Sequence, residues 1–258
     1  MLSQFFNEYI SVAHRARVPI IICTTTWRAN KERLSEADES RDVNEDTVDF
    51  LKQLRCTWSS WKENIAIGGM IGCKNDCYTP SEGLSLQDAY DFHSWQLNKL
   101  ADGGVDFLIA ESLPAVPEAT GIAQAMSKTA KPYIISFVIN RDGKILDGNT
   151  LESAFHEIDS ACDPAPTGYM INCSYPSFLN VDKQPGSIFS RLIGFIANAS
   201  SLDQSELDRA TTLKADDISD WGNRMIELNK KYGVKILGGC CGTNREHLKY
   251  IVQNLNKN

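Results

Sequence analysis

Seven short apolar runs alternate with amphipathic stretches, and this alternation limits what the chain can fold into more than any other feature. Residues 18–26 (Val-Pro-Ile-Ile-Ile-Cys-Thr-Thr-Thr), 65–70, 106–110, 133–139, 169–171, 193–197 and 234–237 read as strands. The first and last of these read as buried, with 18–26 covered on both faces. Helical spacing marks Leu2–Ala16, residues 47–61, a helix opened by Ser85 and stopped by Gly103-Gly104, and residues 119–128 behind Pro114 and Pro117. It also marks Leu151–Ala161, Ile218–Tyr232, and a closing helix through Leu248, Ile251, Val252 and Leu255. Strands that take turns with helices run parallel, joined by crossovers. No repeat or low-complexity linker interrupts the pattern, so residues 1–258 are expected to form one domain. The charged stretch 28–46, with its acidic run 36–45, reads as a solvated loop.

A barrel is favoured over an open sheet because polar residues stand at the C-terminal ends of many different strands. These are Thr24 and Thr26, Glu111, Cys173, and Cys240 with Cys241. An open sheet gathers its site at one switch point, whereas a barrel brings all its strand ends to one mouth.

Composition removes several functions. A net charge of −7 with no Lys/Arg-rich run gives no support to nucleic-acid or anionic-membrane binding. No apolar run approaches a membrane span, and the start, Met1-Leu2-Ser3-Gln4-Phe5, lacks the pattern of a signal peptide. Eight cysteines in that setting point to reduced thiols or metal ligands, and to the cytoplasm.

The chemistry concentrates in Gly238-Gly239-Cys240-Cys241-Gly242-Thr243. Adjacent cysteines are poor disulfide partners for each other, but two thiolates side by side at a strand end can share a soft metal ion. In a barrel, Cys173 joins them across 67 positions. Three thiolates with an open fourth position suit a Zn²⁺ that presents an incoming thiol as a nucleophile. Other candidates read more plainly. Cys73 and Cys77 are expected to be free loop thiols, and Cys23, Cys56 and Cys162 small buried hydrophobes. His93 and His156 are expected to pack within helices, and His14 and His247 to be peripheral. Of the five tryptophans, Trp27 belongs near the site.

Gly-Gly-Cys-Cys-Gly-Thr at 238–243, Asn172-Cys173 after a strand, Glu111 in Glu-Ser-Leu-Pro, and Asp91-Phe92-His93-Ser94-Trp95-Gln96-Leu97 ahead of Gly104-Val105-Asp106 are similar to the homocysteine S-methyltransferase family. The resemblance covers roughly residues 15 to 255. It implies a zinc-dependent (β/α)₈ TIM-type barrel that moves a methyl group from S-methylmethionine, S-adenosylmethionine, betaine or a folate–cobalamin system to homocysteine. It implies Cys173, Cys240 and Cys241 as zinc ligands, Glu111 as receiver of the substrate ammonium, and Thr24, Thr26 and Asn172 as substrate neighbours. No catalytic residue beyond the metal site is implied.

The sequence departs from the family pattern in three places. The family's first strand, with Asp-Gly-Gly, has no counterpart, so a barrel position is empty, or filled by other material, or encoded further upstream. Thr24-Thr25-Thr26-Trp27 stands where the family has Thr-Asn-Thr-Tyr, and Met70-Ile71-Gly72-Cys73 where it has Ser-Ile-Gly-Pro. The expected partners are small molecules, and an incomplete barrel edge gives a reason to form a homodimer. The alternative is a non-catalytic zinc-binding barrel that has lost substrate recognition.

Overall fold

The computed structural model describes residues 2–207 and 210–255. Seven strands, β1 (Ile20–Cys23), β2 (Ile65–Gly72), β3 (Phe107–Leu113), β4 (Tyr133–Phe137), β5 (Gly168–Ser174), β6 (Leu192–Ala197) and β7 (Ile236–Gly239), form one sheet in that order. Every neighbouring pair is parallel. The helices are α1 (Leu2–Ala16), α2 (Lys31–Glu36), α3 (Val43–Thr57), α4 (Leu86–Gly103), α5 (Val116–Ser127), α6 (Leu151–Ala161), α7 (Gln204–Leu207), α8 (Ile218–Tyr232) and α9 (Arg245–Asn254). Among the described residues no helix is long and apolar enough to cross a membrane.

The sheet curls so that the ends of β5 and β7, which share no hydrogen bonds, bring side chains into contact. Its inner face carries Phe107, Ile109, Ile134 and Met170, with Ile21, Ala66, Met70, Ile193 and Ile236 against them. The larger core lies between the outer face and the helices. A parallel sheet covered in this way reads as continuous apolar runs, which is why the strands were visible in the sequence.

The curl is not closed. Among the described residues β1 pairs only with β2, and β7 only with β6. The outer ring does close, because α1 packs on α9, with Arg245 Nη1 3.5 Å from Glu8 Oε2. The expected barrel is therefore seven strands inside a closed helical ring.

Several expectations change. The end strands are not fully buried: Ile20, Ile21, Ile236 and Leu237 are half-open, because each end strand has a neighbour on one side only. The stretch 28–46 is partly helical. Asn30 Oδ1 accepts from Arg33 N to open α2, and Asp42 Oδ1 accepts from Glu45 N to open α3. His247 is buried, 5.0 Å from the Trp221 ring, and its imidazole closes a capping box with Asn244 at the start of α9. Cys56 is exposed, whereas Cys73, Cys77 and Cys162 are buried. His93 is packed as expected, with Nε2 3.1 Å from Glu118 Oε1, whereas His156 on α6 is exposed.

Candidate metal centre

Three sulfurs meet at the C-terminal ends of β5 and β7. Cys173 Sγ is 3.0 Å from Cys240 Sγ, and Cys240 Sγ is 3.9 Å from Cys241 Sγ. All three ligand atoms lie within 4.8 Å of one another, graded from buried Cys173 through half-buried Cys240 to exposed Cys241. The turn that delivers the pair is tied to its neighbours. Cys240 N–H donates to Ala197 O (2.7 Å), Ala199 N–H donates to Cys241 O (2.9 Å), and the Thr243 hydroxyl donates back to Cys240 O (2.7 Å). Gly239 is needed there, since a β-carbon would collide with the Thr243 side chain.

Cys173 is held differently. Ser112 and Cys173 both adopt left-handed backbone, with φ of 63° and 52°. The pairing shifts register beside each, between Ala110 and Leu113 and between Asn172 and Ser174. Non-glycine residues in this region cost on the order of 1–3 kcal/mol and persist where surroundings enforce them. The enforcing group is Asn172. Its Oδ1 accepts from Ser112 N–H (2.9 Å) and the Ser136 hydroxyl (2.7 Å), and its Nδ2 donates to Ser112 Oγ (2.7 Å) and Cys173 Sγ (3.3 Å). Ser112 Oγ in turn lies 3.4 Å from Cys173 Sγ. All of these groups are buried.

Crowding separates the thiols. Hydrogen bonds from Cys173 and then Cys240 lower the Cys241 thiol to about 3. Cys173, bonded to Cys240 and Cys241 and desolvated, is pushed well above its ordinary value. One thiolate thus forms readily and the next are resisted, a charge problem that a divalent cation solves. At the end of β6, Asn198 is buried, its Oδ1 without a donor among the described residues, and its backbone N–H donates to Ser174 O (3.0 Å). The three converging sulfurs fit a soft divalent metal.

The rest of the mouth is enclosed. Glu111 is half-buried in the mouth, and desolvation raises its carboxyl to about 7 from 4.5. Its charge is felt by Cys240 and Cys23. Trp27 lies flat on Gly72, where a side chain would strike the indole, and donates Nε1–H to Glu111 O (3.2 Å). Thr24 and Thr26 are buried, 2.6 Å apart through their hydroxyls. Thr26 donates to Met70 O (2.7 Å), and Thr24 Oγ1 accepts from Met70 N–H (2.9 Å). Tyr78, from the loop between β2 and α4, has its phenol raised by burial and then by the charges of Cys173 and Cys241.

The cysteines, Glu111, Trp27 and the threonines therefore share one mouth, whereas Asn172 lies beneath Cys173 with its amide fully engaged. Asn198, Ser112 and Tyr78 were not singled out from the sequence. Asn198 directly follows an apolar strand, as Glu111 and Cys173 do, and the same strand-end rule would have found it.

A parallel barrel whose mouth gathers three cysteine sulfurs defines a class of α/β protein suited to hold a soft metal ion. The sequence profile described as homocysteine S-methyltransferase matches residues 1–255, and the chain belongs to that family of methyltransferases. It is 26% identical over 268 residues to homocysteine S-methyltransferase YbgG of Bacillus subtilis (strain 168), covering 97% of this chain and 82% of that protein. Its fold is similar to the metallated crystal form of the homocysteine methyltransferase MmuM from Escherichia coli, with a TM-score of 0.74 at 16% identity over 98% of this chain and 83% of that one. The apo form of MmuM superposes with a TM-score of 0.65 at 17% identity, over 96% and 83% of the two chains.

Proposed function

We propose that this protein is a zinc-dependent homocysteine S-methyltransferase, with Cys173, Cys240 and Cys241 as the residues that hold the metal. The observation that carries the reading is the convergence of three sulfurs within 4.8 Å at the same mouth as the Glu111 carboxyl, whose charge Cys240 feels. Bound there, zinc supplies Lewis acidity that keeps an acceptor thiol deprotonated near neutral pH.

The chain's own residues do the positioning. Glu111 ionises when an ammonium arrives, and the ion pair orients an amino-acid acceptor with its thiol toward the sulfurs. The Trp27 indole N–H holds the Glu111 backbone, and the Thr24–Thr26–Met70 ties fix the neighbouring strand ends. Asn172 acts on the acceptor site through Cys173. Tyr78, close enough for its phenol to feel the charges of the sulfurs, adds a half-buried ring that limits water at the attacking thiolate. Methyl transfer is a displacement at carbon and requires no general base. A sulfonium or ammonium donor, of the S-methylmethionine, S-adenosylmethionine or betaine type, matches this chemistry. A desolvated Glu111 carboxyl with no side-chain partner among the described residues speaks against a barrel that has lost substrate recognition.

The test is metal content together with methionine formation from homocysteine and each donor in turn. About one zinc per chain, lost with activity in Cys240→Ser, is expected. A metal-free protein that stays inactive after anaerobic reconstitution with zinc overturns the reading.

A further inference from the structure

We propose that Ser112 and Asn172 are positioning residues that fix the direction of the Cys173 sulfur and lower its reactivity toward the methyl donor, so that Cys173 serves as a ligand and is not itself methylated. This rests on the methyltransferase reading above. A centre that activates one thiolate for attack on an alkyl donor surrounds it with three protein sulfurs of the same chemical kind. Any of these could take the methyl instead. In that misdirected step the carbon–donor bond breaks, its electron pair leaves with the donor's sulfur or nitrogen, and a carbon–sulfur bond forms at the cysteine. The resulting thioether is a poor ligand and would end turnover.

The hydrogen-bond geometry supports this assignment. Ser112 N–H and the Ser136 hydroxyl both donate to Asn172 Oδ1, so the amide has one orientation, with Nδ2 toward Ser112 Oγ and Cys173 Sγ. Ser112 Oγ accepts from Nδ2, and its own proton is left to donate to Cys173 Sγ at 3.4 Å. The Cys173 sulfur thus faces two polar donors, an amide and a hydroxyl. Among the described residues, the side-chain hydrogen bonds of Cys240 and Cys241 are with the other sulfurs alone, and Cys241 Sγ has only its own backbone N–H beside them. Hydrogen bonds to a thiolate draw electron density from sulfur and lower its reactivity toward carbon while it remains a ligand. They also fix its direction. Both donors are placed by register shifts and left-handed backbone at Ser112 and Cys173, a costly arrangement that packing alone does not require.

The experiment compares wild type with Ser112→Ala and Ser112→Gly. Both variants remove the hydroxyl, and glycine accepts the positive φ without strain, so fold damage and loss of the donor are separated. Cobalt(II) replaces zinc, and the sulfur-to-metal charge-transfer band is recorded. The zinc-loaded proteins are then treated with methyl iodide, and methylated cysteines are located by peptide mass spectrometry. Both variants are expected to shift the charge-transfer band to lower energy, to weaken metal binding by about 10-fold or more, and to raise methylation of Cys173 several-fold relative to Cys240. An unchanged band with unchanged Cys173 methylation, in variants that hold metal, overturns this inference alone. A change confined to Ser112→Ala overturns it as well, since it reports backbone damage. Wild-type protein that takes up neither metal overturns the underlying reading, and this inference with it.

Discussion

The centre joins two regions built in opposite ways. Strands β4 and β5 are buried along their whole length with a neighbour on each side, and Cys173 stands at the end of β5 in a network of buried side chains. Strand β7 has a neighbour on one side, is half-open throughout, and presents Cys240 and Cys241 on a turn held by backbone bonds to the end of β6 and the residues after it. One sulfur is fixed by the core and two are carried on an edge. A bound metal therefore works as a staple, coupling the least protected strand to the most protected one.

The largest effect expected from breaking that staple is loss of Cys173. Cys173→Ser should abolish metal retention and methyl transfer, whereas Cys241→Ser should keep weakened metal binding, because Cys173 and Cys240 remain 3.0 Å apart. Metal content and chelator competition on both variants check this, and equal losses would erase the distinction between core and edge sulfurs.

Glu111 gives the next effect, with opposite signs for folding and binding. Its folded carboxyl titrates near 7, above the ordinary 4.5, so the stability this group contributes is full at acid pH and is lost as the pH rises through 7. Glu111→Gln should therefore stabilise the substrate-free protein at pH 8, by up to about 3 kcal/mol. The same change should cost about 100-fold in acceptor kcat/KM, the order expected for one charge-assisted contact. Wild-type acceptor affinity should fall tenfold per pH unit below about 7, and the variant should be flat. Thermal melts and KM across pH 5.5–8.5 (about three units) read both signs.

Metal addition should slow hydrogen exchange of β7 amides and leave β4 unchanged, which sharpens the edge-and-core comparison directly. Equal protection of both strands would contradict it. The smallest effect belongs to Trp27→Phe, which removes the indole donor to Glu111 O. It should raise acceptor KM a few-fold, in line with about 1 kcal/mol for one hydrogen bond.

The same contrast explains what the sequence revealed. Interior elements were legible almost to the residue: Leu151–Ala161 and Ile218–Tyr232 match the observed helices, because their patterns and caps are local. The cysteines and Glu111 were legible because charged or thiol groups directly after apolar runs have few structural uses. The edge strands were misjudged in burial, since an apolar run does not reveal how many neighbours it will have. The helix in 31–36 was hidden behind charge, its signal reduced to the single cap Asn30. The network beneath Cys173 was invisible, because it joins Ser112 to Asn172 across 60 positions through backbone angles that side-chain patterns do not encode.

That network also sets an order of assembly. Ser112, Ser136 and Asn172 all precede Cys173 in the chain, whereas Cys240 follows it by 67 residues. At ribosomal speeds of about 5–20 residues per second, the gap lasts roughly 3–13 s. Every residue that aims Cys173 is therefore already in the chain when Cys240 and Cys241 are added to it.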